Sequence, residues 1–130
     1  MILVDTHVVL WLAETPEMLS PLVYEVITRE RKRDGLAVSG ITLWELAMLL
    51  SRGRVQSRTP LSDFLRVVEN SFSVLQLTSA VAETSMAFTD AYPKDPMDRM
   101  IGATALVHGL QLITRDERIR RSGEVPCVWD

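Results

Sequence analysis

The chain alternates short, wholly apolar runs with longer stretches whose apolar residues recur every three or four positions. Ile2-Leu3-Val4 is the first such run and stops at Asp5, which is how a strand buried on both faces reads. Leu36-Ala37-Val38, Val74-Leu75-Gln76-Leu77, Leu110-Gln111-Leu112-Ile113 and Val125-Pro126-Cys127-Val128 repeat the pattern. Pro126 cannot donate to a central ladder, so it predicts an edge position for the last strand. Thr15-Pro16, Thr59-Pro60 and Asp95-Pro96 each place a capping side chain before a proline suited to a first helical turn, and predict three helix starts. Thr42 and Glu45 have capping-box spacing and predict a helix over 42–50. Thr78 or Ser79 begins another that runs to Phe88. After Pro96, the spacing of Met97, Met100, Ile101, Ala105 and Leu106 predicts a buried stripe. Strands alternating with helices imply right-handed crossovers and a parallel sheet with helices on both faces. The polar, basic stretch 53–59 is the most loop-like.

Composition narrows the class. With 130 residues, 47% of them apolar, the chain fits one domain over 1–130, with a core that needs no disulfide or structural metal. The single Cys127 makes no intramolecular bridge and no cysteine-based zinc site, which predicts a reducing, cytoplasmic setting. No membrane association is expected, because apolar runs such as 8–13 fall far short of the ~20 residues a bilayer core demands. The opening residues also lack the basic and apolar regions of a signal peptide. A net charge of -3 argues against general polyanion binding and leaves RNA or DNA contacts to local basic clusters.

In an open parallel sheet, ligands bind beyond the carboxyl ends of the strands. Asp5 ends the first strand, Glu45 lies one turn into the helix after the second, Asp98 opens the helix before the fourth, and Asp116 follows that strand. All four are expected to project toward one end of the sheet. Two like charges 4 Å apart repel by about 4 kcal/mol at an effective dielectric of 20, so such a cluster needs protons or a cation. Oxygen-only ligands select hard ions, Mg²⁺ or Mn²⁺, and the chemistry this points to is metal-assisted hydrolysis of a phosphate ester. Each acid also has a structural use. Asp5 can cap the next helix, Glu45 can answer Thr42 in a capping box, Asp98 sits in the first turn after an Asp95 cap, and Thr114 and Glu117 can form a box around Asp116.

His7 and His108 have no partner at zinc spacing, and His108 suits a helix C-terminus before the stop at Gly109. Trp11, Trp44, Trp129 and the six methionines read as core or interface rather than as a base-stacking platform. No G-x-S-x-G elbow, Walker A loop or G-x-G-x-x-G is present.

Four segments in order carry a family pattern: Ile2-Leu3-Val4-Asp5-Thr6-His7, Ser39-Gly40-Ile41-Thr42-Leu43-Trp44-Glu45-Leu46, Asp95-Pro96-Met97-Asp98-Arg99-Met100-Ile101-Gly102-Ala103-Thr104-Ala105 and Leu112-Ile113-Thr114-Arg115-Asp116. Across essentially its whole length the chain resembles the PIN domain family, in particular the VapC-type toxins of bacterial toxin–antitoxin pairs. The resemblance implies a three-layer α/β/α sandwich around a parallel sheet of order 3-2-1-4-5, and a Mg²⁺- or Mn²⁺-dependent endoribonuclease. It further implies that Asp5, Glu45, Asp98 and Asp116 form the acidic catalytic quartet. Asp5 and Asp98 would bind the metal most directly, with Asp116 acting through water. Asp95 would cap and support from outside the ligand set, Thr6 and Thr114 would orient the carboxylates, and Arg99 would position or pair with an acid. The implied reaction is in-line attack of water on an RNA phosphodiester, leaving a 5′-phosphate and a 3′-hydroxyl. Arg52, Arg54, Arg58, Arg99, Arg115 and Arg118 are candidates to contact the RNA backbone. The implied partners are a cognate antitoxin that covers the site and a second copy of the chain in a homodimer. Trp11, Leu12, Leu22, Val23, Ala47 and Leu50 are candidates for the antitoxin groove.

Three other classes compete. An aspartyl-phosphate phosphohydrolase needs a second acid two residues after Asp5, where His7 stands, and a receiver-like domain needs paired acids after the first strand, where Asp5 has only Thr6 beside it. A non-catalytic RNA or protein adaptor on the same fold is disfavoured by a complete quartet.

Overall fold

Five parallel strands, four followed by a helix and the last preceded by one, make up the computed structural model, which describes residues 1–53 and 57–130. The elements run β1 (Ile2–Val4), α1 (Thr6–Glu14), a 3-10 turn (Pro16–Met18), α2 (Pro21–Arg31), β2 (Leu36–Ser39), α3 (Gly40–Ser51) and α4 (Leu61–Ser71). They continue with β3 (Ser73–Leu75), α5 (Ser79–Ser85), α6 (Pro96–His108), β4 (Leu112–Ile113), α7 (Glu117–Ser122) and β5 (Cys127–Val128). The sheet order is β3-β2-β1-β4-β5 and every pairing is parallel, as the family resemblance implies. The middle of the loop-like stretch 53–59, including Arg54, lies outside the described residues.

Alternation along the strands feeds two cores, one on each side of the sheet. Ile2, Val4, Leu36, Val38 and Ile113 face residues of α1 to α4, including Val8, Val9, Val23, Ile27, Leu46, Phe64 and Val68. Leu3, Ala37 and Leu112 face Tyr92, Ile101, Ala105, Ile119 and Val125 on the other side. β4 and β5 are only two residues long, too short for ladder hydrogen bonds to sustain alone. Each such bond contributes a net ~1 kcal/mol, whereas burying a Leu or Ile side chain contributes about 1.5–3 kcal/mol. Leu112 and Ile113 are both fully buried, so packing holds β4 in register. β5 is an edge strand as Pro126 predicts, and the Pro126 carbonyl still accepts from the Leu112 N–H at 2.8 Å.

Several helix starts differ from expectation. Thr15-Pro16 opens a single 3-10 turn, and the same Ser/Thr-Pro chemistry begins α2 later, where the Ser20 hydroxyl accepts from the Val23 N–H at 3.2 Å. Thr59 makes no cap because Pro60 stays outside α4 and passes only its carbonyl to the Phe64 N–H. Ser39 ends β2 and caps α3 at once, with no loop residue between, so Thr42 falls inside the helix, fully buried. The helix after Thr78 ends at Ser85, short of Phe88. On α6 the buried residues form the continuous run Ile101, Gly102, Ala103, Thr104 and Ala105, while Leu106 is 39% exposed. A stripe becomes a run because the middle of α6 is covered by α5 and α3 as well as by the sheet.

Gly102 is required by one of these contacts. A Cβ built there lies 2.3 Å from the Tyr92 Oη and 2.8 Å from its Cζ, and Tyr92 is fully buried and stacked on Phe88 at 4.0 Å between ring centroids. Gly102→Ala is therefore expected to destabilise the fold by about 1–3 kcal/mol, the usual range for overpacking. Urea denaturation would show a lower midpoint than for an Ala substitution at Gly53, where nothing lies within 4 Å and only a φ of +67° opposes the change.

Candidate active site

The sheet order reverses at β1, since the chain builds β2 and β3 on one side of it and β4 and β5 on the other. A crevice opens at such a reversal, beyond the carboxyl ends of the strands. Here it is a cavity of about 460 Å³ lined by Asp5, His7, Val8, Trp11, Glu45, Asp95, Asp98, Arg115 and Asp116. The structure therefore brings together all four acids singled out in the sequence, with Asp95 beside them.

Asp5 follows β1 directly, and its N–H continues the ladder to the Ile113 carbonyl at 3.0 Å. Its two side-chain oxygens are separately held: Oδ1 accepts from the Thr6 N–H at 2.8 Å and Oδ2 from the Thr114 hydroxyl at 2.7 Å. The expected orienting role of Thr114 thus has a contact behind it, and the same hydroxyl accepts from the Asp116 N–H at 3.1 Å. Thr6 is buried with its hydroxyl 3.1 Å from that of Thr42, which ties the start of α1 to α3. Thr42 therefore does not cap Glu45's helix; from inside α3 its hydroxyl meets that of Thr6.

Asp95 caps α6 through Oδ1, which accepts from the Met97 and Asp98 N–H groups at 2.8 and 3.3 Å. Asp116 caps α7 by accepting from the Ile119 N–H at 3.0 Å, so the expected box between Thr114 and Glu117 is replaced by Asp116 itself. These acids are therefore both helix caps and cavity lining.

Three of these carboxyls are shifted by burial first and by neighbouring charges after it. Burial pushes the Asp5 carboxyl up from its ordinary value, against the two hydrogen bonds that favour its charged form. Burial raises Glu45 as well, and Asp5 adds to the shift while the Thr6 hydroxyl and His7 oppose it. Asp98 is pushed up to about 7, first by burial and then by the charges of Asp5, Asp95, Asp116 and Glu45.

Arg99 does not pair with an acid. Its Nε donates to the Pro93 carbonyl at 2.9 Å, and its other nitrogens reach the carbonyls of Phe88, Thr89 and Tyr92 at 3.3–3.5 Å, with the guanidinium over the Phe88 ring. It fastens the turn before α6 and is spent as a phosphate contact. Of the other arginines described, Arg115 lines the cavity, whereas Arg52, Arg58 and Arg118 do not. His108 ends α6 before a left-handed Gly109, far from the acids in role as expected. Among the nominated partner-groove residues, Val23 is fully buried core and Leu22 is 41% exposed. Leu12 lines a separate apolar cleft between α1 and α4 with Val9, Phe64 and Val68.

Two contributors are not announced by the sequence pattern. Trp11 was assigned to core or interface, yet it lines the cavity with His7, one helical turn away; that i, i+4 spacing was the available signal. Trp44 lies outside the cavity lining and is 55% exposed, which leaves only the interface half of its expected core-or-interface role. Tyr92 donates its hydroxyl to the Asp98 carbonyl at 2.7 Å, steadying the turn that carries the acid, and nothing in local sequence announces that contact.

Comparison with known proteins agrees with this architecture. A family model described as PIN domain matches residues 2–125. Ribonuclease VapC22 of Mycobacterium tuberculosis (strain ATCC 25618 / H37Rv) is 36% identical over 130 residues, which span 98% of each chain. The structure of VapBC2 from Rickettsia felis bound to a promoter DNA fragment is similar with a TM-score of 0.77, at 14% identity and over 100% of both chains. A toxin-antitoxin complex from Klebsiella pneumoniae gives a TM-score of 0.66 at 23% identity, over 99% of this chain and 97% of that one. At these identities the structural likeness speaks for the fold. The family-model match over nearly the whole length and the 36% identical relative establish that the chain belongs to the PIN domain family.

Proposed function

We propose that the chain is a divalent-metal-dependent endoribonuclease and the toxin of a toxin–antitoxin pair. The observation that carries this is the convergence of Asp5, Glu45, Asp98 and Asp116 on one cavity at the reversal of the sheet. Similarity to a protein named as a ribonuclease supports RNA as the substrate. Likeness to toxin-antitoxin complexes supports a cognate antitoxin, and a homodimer remains what the family resemblance implies.

The donor set fits a hard cation. Carboxylate oxygens crowd the cavity with no thiolate and no pair of imidazoles among its lining. That suits Mg²⁺ or Mn²⁺, which keep several waters and take few protein ligands. Asp5 and Asp98 would hold the ion most directly, with Asp116 and Glu45 completing the acidic quartet around it. Thr114 and the Thr6 N–H leave Asp5 one orientation, and the Asp95 cap and Tyr92 hydroxyl fix the turn that presents Asp98. A bound Mg²⁺ or Mn²⁺ supplies an acidified water and offsets charge on the phosphoryl oxygens. Water attacks in line, the P–O3′ bond breaks, and the products are a 5′-phosphate and a 3′-hydroxyl. The two histidines, His7 in the cavity and His108 at the end of α6, supply no pair for a metal-free route through the 2′-hydroxyl.

Expression of wild type and of Asp98→Asn in a bacterium, followed by mapping of RNA 5′-phosphate ends, is expected to show new ends with wild type alone. Identical ends from both soluble proteins would favour a non-catalytic adaptor. In vitro, a chelator is expected to abolish cleavage and added Mg²⁺ or Mn²⁺ to restore it.

Protonation offers a second check. Between its ordinary 3.8 and about 7, Asp98 holds a proton in the folded chain that the unfolded chain has released. Stability therefore falls as pH rises through this window. The metal-free protein is expected to melt at a lower temperature at pH 8 than at pH 5, with a smaller difference in Asp98→Asn and a gain from Mg²⁺ at pH 8. A pH profile indifferent to Asp98→Asn would separate the acid from the cluster.

A further inference from the structure

Three side chains that are not acids share the cavity: His7, Trp11 and Arg115. The Arg115 guanidinium carbon lies 5.8 Å from the centroid of the Trp11 ring. Trp11 is braced edge-on by Trp129 at 6.1 Å, and the His7 ring stands tilted to it at 6.3 Å. Arg115 follows β4 immediately before the Asp116 cap, so its backbone is set by the same turn that places an acid.

An arginine among carboxylates ordinarily pairs with one. Among the described residues, the Arg115 side chain makes no ion pair and no hydrogen bond to any acid of the cavity. The indole face holds the cation without consuming its donors, so the planar fork stays available to a phosphate, whose oxygens it matches in pairs. Arg99, the other arginine beside the acids in sequence, is committed to backbone carbonyls. An exposed His7 and a partly exposed Trp11 add aromatic surface next to that fork, and nucleobases pack on such surfaces when they are unstacked.

We propose that Arg115, laid over Trp11, grips the phosphate of the nucleotide flanking the cleaved bond, and that the base of this nucleotide packs against the wall formed by His7 and Trp11. The assignment rests on the ribonuclease function and adds a demand on the substrate. A paired strand keeps its bases inside the helix and has none to offer, so the wall selects RNA that is unpaired beside the cut. Trp11 acts as a positioning residue for Arg115 and as a surface for the base.

The test measures fluorescence anisotropy of a labelled 12-nucleotide RNA of mixed sequence, single-stranded or annealed to its complement. It is done in the Asp98→Asn background with Mg²⁺, so that the strand stays intact. One phosphate contact on a single strand carries a log–log salt slope of about 0.7, equivalent to about fivefold in affinity at 0.1 M salt. Arg115→Gln is expected to lose about that much and to flatten the slope by about 0.7. Trp11→Ala is expected to weaken single-strand binding further, to leave duplex binding unchanged, and to remove most of the effect of adding Arg115→Gln. Trp11→Phe, which keeps an aromatic face and serves as the folding control, is expected to fall between. Single-strand binding and salt slope unchanged in both Arg115→Gln and Trp11→Ala would overturn the proposal. If otherwise wild-type protein still cut RNA in that case, only the wall would lose its role. Neither binding nor cutting by wild type would overturn the ribonuclease function as well.

Discussion

Repulsion among carboxylates at the carboxyl end of a parallel sheet is the constraint around which this molecule is arranged. Asp5, Glu45, Asp98 and Asp116 share a cavity that also carries Asp95, and burial raises the proton affinity of Asp5, Glu45 and Asp98. The fold supplies a partial answer of its own. The N-termini of α1, α6 and α7 are capped by Asp5, Asp95 and Asp116, which places three acids at positive helix ends. A helix terminus favours an acid by about 0.3–1 kcal/mol, whereas two like charges 4 Å apart repel by about 4 kcal/mol at an intermediate dielectric. Capping therefore does not neutralise the cluster. A proton on Asp98 offsets part of the remainder, which ties the cluster to the stability of the fold.

Precision at the site comes from neutral neighbours. Thr114 and the Thr6 backbone hold the oxygens of Asp5, while Thr6 and Thr42 join α1 and α3 through their hydroxyls. On the other side, Tyr92 bonds the carbonyl of Asp98, Gly102 makes room for its ring, and Arg99 fastens the turn that delivers both. Arg99 and Arg115 show how context divides one residue type. The first is consumed by carbonyl oxygens, and the second is held by an aromatic face with its donors unspent.

Much of this was legible in the sequence. Short apolar runs ending at acids marked the strands, because a parallel sheet covered on both sides needs continuous hydrophobicity rather than alternation. Proline at 126 marked the edge and Asp95-Pro96 marked a helix start, since both depend on chemistry within a few residues. The position of four acids after strands or in first helical turns marked the site, because strand direction in a parallel sheet sends such residues to one end.

What only the tertiary structure decided depends on chain segments far apart in sequence. Whether Thr42 caps a helix or braces Thr6 turns on Ser39 capping first and on α1 lying alongside. Tyr92 finds Asp98 and Gly102 only because the turn before α6 folds back over it. Trp11 reaches the cavity because β4 lies next to β1 and delivers Arg115 across its ring. Local propensity and hydrophobic period are properties of neighbouring residues, so the sequence determined the strands, several helix starts and the acids at their ends. The partners of polar side chains are properties of packing, so the shape of the cavity and the division of labour around it belonged to the fold.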